Sequence, residues 1–555
     1  MIRGLGMSEI QLTLPNGEKR SFPKYTTYYD ISKNFEMEHD VIGIMVNNRI
    51  TSLNDRADHN ANIKFLDLTG YNGNRIYVAG LKMVFEYALK KVLPQAVVKF
   101  SYNLPKGIIA DVEYDKEITN ELVGLIRKSM AKAVSDNIII EKLIVKNNDG
   151  IAYYEEIGNK VKSENIQNIT DATVVLYRLD DLINYYYSEM PHSTGVINKY
   201  EVRYLGRKRF ALNYPTENDN GKTPEFVNYE GIIDAYSQGK KWLSTMNVPY
   251  INDVNREVTN GKISNFVKSS ELNFNLGIND TAKYISKNPK IKYVMIAGPS
   301  TSGKTTVTKR LANYFEIYGL DPIVISLDDY FKERVDTPKD EKGEYDFECL
   351  QAIDLEYLAS DMTKLLNNEE INLPQFNFVT GCKEISSKKI KLKENSILLF
   401  EGLHAINDDL LPMISKNEKY KIYVSPYIPL CLDEHNYITC EDLRLVRRIV
   451  RDFRTRGFPV EKTIKSNKKV REGEFKYINP YIHQADKIIN TSLPYEVGVL
   501  KVFAEPLLFA VPSDSEFFNE SRRLLSFLKQ FFTISSEFVP RDSILREFIG
   551  GDIDD

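Results

Sequence analysis

The run Gly298-Pro299-Ser300-Thr301-Ser302-Gly303-Lys304-Thr305 satisfies G-x-x-x-x-G-K-[ST] without a gap. Its glycines let backbone N–H groups converge on phosphate oxygens at the positive end of a helix. Lys304 sets a point charge at the outer phosphates, and the Thr305 hydroxyl suits a magnesium ion. A glycine-rich turn without a ligand is the alternative. Against it, the apolar run 293–297 precedes the loop, and Val307, Leu311, Phe315 and Tyr318 follow at helical spacing until Gly319. Strand, loop and helix in that order make Pro299, Ser300, Thr301, Ser302 and Thr306 part of a nucleotide-binding set.

Two further strand-like runs end in carboxylates. Ile397-Leu398-Leu399-Phe400-Glu401-Gly402 places an acid where a phosphate-bound metal would sit, giving Thr305 and Glu401 as candidate metal ligands. Ile325-Ser326-Leu327-Asp328-Asp329-Tyr330-Phe331 brings Asp328 to a position from which it could take a proton from an acceptor hydroxyl. The aromatics Tyr330 and Phe331 suit a flat acceptor. An Asx turn capping a strand explains the same residues more blandly. The C-terminal edges of parallel strands, however, form the ligand crevice of open α/β sheets.

Asp442 to Gly457 reads DLRLVRRIVRDFRTRG, with Arg444, Arg447, Arg448, Arg451, Arg454 and Arg456 close together. On a helix, Arg444, Arg448 and Arg451 share one face, and Arg447, Arg451 and Arg454 a neighbouring one. Such a cluster repels itself unless an anion neutralises it. A polyphosphate under a mobile lid is one candidate; a solvated or RNA-binding basic helix is the competitor.

These residues need a scaffold that aligns strand ends. Apolar strands at 293–297, 323–326, 397–400 and 421–424 alternate with helical stretches, implying an α/β multidomain chain whose C-terminal part is a parallel sheet with helices on both faces. Upstream, Ile10, Leu12 and Leu14 alternate into Pro15-Asn16-Gly17, and Asn47-Asn48 marks a second turn. Helices are expected at 76–93 and 118–133, a strand at 137–146, and a surface helix at 516–532. The division expected is 7–70, 75–215, a helical linker at 216–285, the phosphate-loop domain at 286–510 and a helical extension at 511–555. At about 150 residues per domain, 555 residues accommodate this.

Composition narrows the class. Lys and Arg number 73 against 77 Asp and Glu, for a net charge of -4, and 42% of residues are hydrophobic. That excludes disorder and a whole-protein basic field, so any anion site is local. The four cysteines, Cys349, Cys382, Cys431 and Cys440, show no C-x-x-C spacing, and the six histidines no H-x-x-x-H, which argues against a zinc site and for a reducing compartment. With no apolar run long enough to span a bilayer, a cytoplasmic location without membrane contact is expected.

Together the phosphate loop, the Ser326 to Phe331 stretch, Gly343-Glu344-Tyr345-Asp346-Phe347, Phe400-Glu401-Gly402 and RRIVRDFRTRG resemble the uridine kinase and phosphoribulokinase group of P-loop kinases. The resemblance spans about residues 292–507. It implies ATP and Mg²⁺ as cofactors, Asp328 as general base with Lys304 beside it, and Asp346 on acceptor sugar hydroxyls. Glu401 would help hold Mg²⁺, and Arg447, Arg451 and Arg456 would form the lid over ATP. Arg444, Tyr330, Phe331, Phe376 and Phe378 complete the expected acceptor side. Where uridine-cytidine kinases carry a base-reading tyrosine and later a histidine, this chain has Phe376-Asn377-Phe378-Val379-Thr380-Gly381-Cys382. Glycine falls at the histidine position, which leaves the nucleoside-like acceptor open.

The N-terminal segments resemble a TGS domain, a ubiquitin-like β-grasp module, and the editing-type second additional domain of threonyl-tRNA synthetases, including Ser193-Thr194-Gly195. Ala79 and Met83 fall near that domain's H-x-x-x-H pair, so editing hydrolysis is not expected. The resemblance leaves two function classes: a kinase acting on a nucleoside-like hydroxyl, or a nucleotide-regulated RNA- or ribosome-associated protein that uses the TGS-like unit as its contact. A homo-oligomer is compatible with either.

Overall fold

The computed structural model describes residues 9–169, 171–340, 343–377 and 380–552. The site is carried by a five-stranded sheet in the order Asp321–Ser326, Ser396–Glu401, Tyr293–Ala297, Lys419–Ser425, Lys487–Asn490. Every pairing in it is parallel. A parallel sheet must be covered on both faces, and the central strand shows how this is divided. Val294 and Ile296 join a core with Val307, Leu311 and Phe315. Tyr293, Met295 and Ala297 join the opposite core, with Leu358 and Met362. The edge strand Lys487–Asn490 carries only Ile488 and Ile489 as apolar residues, too short a run to stand out in the sequence.

The segment expected to be a linker is helical, at Glu230–Thr245, Ile251–Thr259 and Ile263–Ser286, but it links nothing loosely. Phe266, Val267, Phe274, Ile278, Ala282 and Ile285 pack into the core that holds the phosphate-loop helix Lys304–Ile317. Ile232 and Tyr236 pack into the other core, beside Tyr102, Leu104 and Ile109 of the preceding unit. Each large apolar side chain buried this way contributes about 1.5–3 kcal/mol. The helices are therefore part of the sheet's cover.

The first unit is a mixed sheet in which Glu9–Thr13 pairs antiparallel with Lys19–Pro23 and parallel with Ala61–Leu66. A second hairpin, Gly43–Val46 with Arg49–Thr51, turns on Asn47 and Asn48, both at positive φ. The next unit contains the helices Tyr71–Val92 and Asn120–Ser135, with a four-stranded and a three-stranded antiparallel sheet. Ala79 and Met83 lie in its apolar core. A loop from the phosphate-loop domain enters this unit. The Lys82 ammonium donates to the His435 carbonyl at 3.0 Å, and Lys162 and Asp433 form a pair without solvent exposure.

Near the C-terminus, Phe518–Leu528 forms the expected helix but buries Phe518, Leu524, Leu525 and Leu528. The chain then returns to the phosphate loop through residues 536–550. No helix among the described residues is long and apolar enough to cross a membrane.

Candidate active site

Strand register brings the acidic groups together. Ile296 is in register with Glu401, and Glu401 with Ser326. Three adjacent strands therefore end at one level. One releases the phosphate loop, one ends in Glu401, and one runs into the turn Leu327–Tyr330 that carries Asp328.

The loop is clamped from behind. Gly298 lies so close to the Val424 carbonyl that a Cβ would collide with it, and Gly303 caps the following helix at φ +86°, a left-handed conformation that favours glycine. Thr301 also sits at positive φ, and its hydroxyl donates to the Arg444 carbonyl at 3.1 Å. The Thr491 hydroxyl donates to the Ser302 carbonyl at 2.6 Å. The Arg447 guanidinium donates to the Thr301 and Thr491 carbonyls at 3.3 and 2.9 Å. Arg447 is fully buried against Glu496, so it does not serve as the mobile lid arginine expected from sequence. A guanidinium with five donors is suited to tying two loops and a carboxylate together, and Arg447 positions the phosphate loop.

Facing the cleft, the Lys304 ammonium donates to the Pro299 carbonyl at 3.3 Å, and the Thr305 hydroxyl lies 3.4 Å from a Glu401 oxygen. Burial pushes the Glu401 carboxyl up to about 7; Lys304 and the Thr305 hydroxyl oppose the rise, whereas Asp328 and Glu547 reinforce it. Asp328 is open to the cleft yet surrounded by protein on most sides. That desolvation raises its carboxyl above the ordinary range against the pull of Lys304. Glu348 reaches about 7, through burial and the proximity of Asp328 and Asp346, moderated by Arg448 and Lys304. Carboxylates raised by burial and by one another mark a place prepared for cations. The donors at Thr305 and Glu401 are all oxygen, which fits the hard cation Mg²⁺.

On the acceptor side, Phe331 stands edge-on to Phe347 and to Phe376, with ring centroids 6.0 and 5.8 Å apart. Asp346 accepts from the Tyr477 hydroxyl at 3.0 Å and from the Glu348 amide at 3.0 Å. Tyr330 was expected on this wall but does not reach it. It is 1% exposed, and its hydroxyl donates to Asp361 at 3.1 Å in the core beneath. At the end of the short turn Phe331 is only partly buried, whereas its neighbour faces inward. Phe378 lies outside the described residues. Gly381, at the position corresponding to the base-reading histidine, is at φ +75° with the Arg334 side chain against it, so a side chain there would be strained and crowded.

The arginine helix, Cys440–Arg456, is largely neutralised from within. Arg444 forms a two-pronged pair with Glu474 at 2.8 and 2.7 Å and is not free to bind an acceptor. Arg448, Arg451 and Arg456 all converge on Asp452, leaving an excess of positive charge on that face. Arg448 additionally has a buried Nη1 with no hydrogen-bond partner among the described residues. Its charge acts on Glu348, which places Arg448 towards the site. Glu348 carries no sequence signal: it sits in the turn after Asp346, whose Oδ1 accepts from its amide, and no periodicity marks its direction. The cluster Asp433, Glu434 and His435 has metal-ligating atoms within reach of one another. Asp433, however, is already occupied by Lys162 and Asn436.

Residues 293–496 match the Phosphoribulokinase / Uridine kinase family. The matched stretch holds the phosphate loop, Asp328, Asp346, Glu401 and the arginine helix. A uridine kinase from Anoxybacillus flavithermus is 28% identical to this chain over 195 residues, covering 35% of this chain and 83% of that protein. A threonine–tRNA ligase from Halalkalibacterium halodurans is 24% identical over 198 residues, 35% of this chain and 31% of the ligase. Among solved structures, a possible uridine kinase from Bacillus stearothermophilus is 16% identical, covering 38% of this chain and 98% of its own, with a TM-score of 0.27.

Proposed function

We propose that the protein is a P-loop kinase that transfers the γ-phosphoryl group of ATP to a hydroxyl of a nucleoside or related small metabolite. The observation that carries this reading is the register of three strand ends, which sets Asp328 and Glu401 beside the phosphate loop. A site for hydrolysis as a switch has no need of partly exposed aromatics beside a carboxylate. Here the rings of Phe347 and Phe376 stand edge-on to Phe331; Phe376 is buried behind it, so the acceptor side is left to Phe331 and Phe347, with Asp346 beside Phe347.

Asp328 accepts the proton of the acceptor hydroxyl as that oxygen bonds to the γ-phosphorus and the bond to the β-bridging oxygen breaks, releasing ADP. Its raised carboxyl makes it a stronger base than an ordinary carboxylate. Lys304 follows the phosphates, and Arg448, Arg451 and Arg456 supply positive charge where negative charge gathers. Thr305 and Glu401 would hold Mg²⁺, which neutralises charge on the phosphate oxygens when bound. Asp346 is placed to orient acceptor hydroxyls.

The N-terminal units fit the same proposal as a TGS-like β-grasp module and a synthetase editing-like module. The mixed sheet with its parallel Glu9–Thr13/Ala61–Leu66 pair and the likeness to a threonine–tRNA ligase support that reading. They are proposed as binding or regulatory parts.

The deciding experiment is a screen of nucleosides and small sugars with ATP, Mg²⁺ and full-length protein, following product mass. A mass gain of one phosphoryl group on an acceptor, lost in Lys304→Ala, supports the kinase. Salt-sensitive tRNA binding without phosphorylation of any acceptor would overturn it.

A further inference from the structure

The family match ends at residue 496, but the phosphate loop is touched by a segment well beyond it. Ile544 packs against Gly303 so tightly that a Cβ there would collide with it. The Thr306 hydroxyl donates to a Glu547 carboxylate oxygen at 3.3 Å. Arg454, on the arginine helix, donates to the Phe548 carbonyl at 3.1 Å and the Glu547 carbonyl at 3.2 Å. The Arg447 guanidinium lies 5.0 Å from the Phe548 ring centroid.

The segment is rigid in its own right. Arg546 gathers the carbonyls of Ser536, Val539, Pro540 and Gly550 at 3.0, 2.5, 3.2 and 3.3 Å, while Ile544, Leu545 and Phe548 are fully buried. Glu547 is thus held at the loop by its neighbours on both sides.

A carboxylate in this place runs against the electrostatics of a phosphate cradle, where a helix N-terminus and Lys304 favour negative charge on the ligand. An ionised carboxylate only accepts hydrogen bonds. In a nucleoside triphosphate, the groups that donate are the sugar hydroxyls and the base amine. Thr305 lies on the metal side of the loop beside Glu401, and Thr306, one residue further into the helix, points elsewhere. Glu547 therefore borders the phosphate cradle on the Thr306 side of the helix, one residue round from the Thr305–Glu401 contact.

We propose that residues 536–550 complete the nucleotide site and that Glu547 is a specificity residue that accepts hydrogen bonds from the ribose hydroxyls of the phosphate donor. This rests on the reading of the phosphate loop as an ATP site.

The test is equilibrium binding of ATP and 2′,3′-dideoxy-ATP to full-length wild type, Glu547→Ala and Glu547→Gln, without acceptor, together with the unfolding midpoint of each. Wild type should prefer ATP by about tenfold, the scale of one charge-assisted hydrogen bond. Glu547→Ala should bring the two nucleotides within about twofold, and Glu547→Gln, whose amide oxygen still accepts, should fall between. Midpoints should stay level. Tighter ATP binding by Glu547→Ala would mean that the carboxylate plugs the cradle. An equal loss for both nucleotides with a lowered midpoint would mean a structural role; either result, or unchanged discrimination, overturns the inference alone. Failure of wild type to bind either nucleotide would remove the ATP reading as well.

Discussion

The Arg447 guanidinium and the Glu496 carboxylate form a pair without solvent exposure on either side, 2.7 Å at Nε and 3.0 Å at Nη2. The same guanidinium holds the carbonyls of Thr301 and Thr491. Burying both ions is justified by saturation of their hydrogen bonds, and the cost of breaking the pair falls on the partner left behind. Arg447→Met should destabilise the fold by about 3–5 kcal/mol in denaturant titrations. Arg447→Lys keeps the charge but loses the fork, so ATP affinity should fall in that variant; wild-type affinity would refute the positioning role.

Lys304→Ala and Asp328→Asn address transfer itself. Each should lower turnover at least ~100-fold, the scale of a lost transition-state contact or general base. Folding, followed by the unfolding midpoint, should be intact. Asp328→Asn should also leave ATP affinity within about twofold, since Asp328 faces the acceptor; near-normal turnover in either variant removes that residue from the mechanism.

Proton linkage is expected at Glu401. Its folded carboxyl titrates at about 7 against an ordinary 4.5, so the folded state holds an extra proton between those values. The associated stability is fully present below 4.5 and is lost as pH rises through about 7. Unliganded protein should lose stability over that window, and Glu401→Gln should flatten the loss in part, because Glu348 titrates in the same window. Mg²⁺ and nucleotide uptake near pH 6.5 should release protons, read by calorimetry in two buffers of different ionisation enthalpy; no buffer dependence would argue against Glu401 as a metal ligand.

Tyr330 and Phe331 are adjacent and should behave oppositely. Tyr330→Phe leaves the buried Asp361 short of a donor and should cost about 1–3 kcal/mol without moving the acceptor KM. Phe331→Ala should raise the acceptor KM several-fold with little change in that for ATP, measured by steady-state kinetics.

What the sequence makes legible is what must be contiguous. The phosphate loop needs its glycines, lysine and threonine in one run, and the strands beside it need unbroken apolar stretches, so both can be read directly. The hairpin at Asn47 and Asn48 is legible for the same reason, since a two-residue turn with positive φ at both positions selects asparagine. The arginine helix is legible as a helix but not as to which arginines face in. That depends on Glu496, Glu474 and the returning tail, all distant in the chain. The helices between 230 and 286 show their amphipathic period, yet period does not say what the apolar stripe meets. The inward direction of Tyr330 is not legible, because alternation within a short turn cannot be counted as it can along a strand. Glu547 carries no signal at all, since one carboxylate in a charged C-terminal stretch has no spacing to betray it.

The return of residues 536–550 to the phosphate loop has a consequence for biosynthesis. The loop leaves the ribosome about midway through synthesis, but its fixing contacts arrive later, first from Arg444 and Arg447, then Thr491, and last Ile544 and Glu547. Domains generally fold in order of synthesis. Here the sheet can close while its phosphate cradle is still missing a wall, so a nascent chain should gain a compact core before it gains a finished nucleotide site.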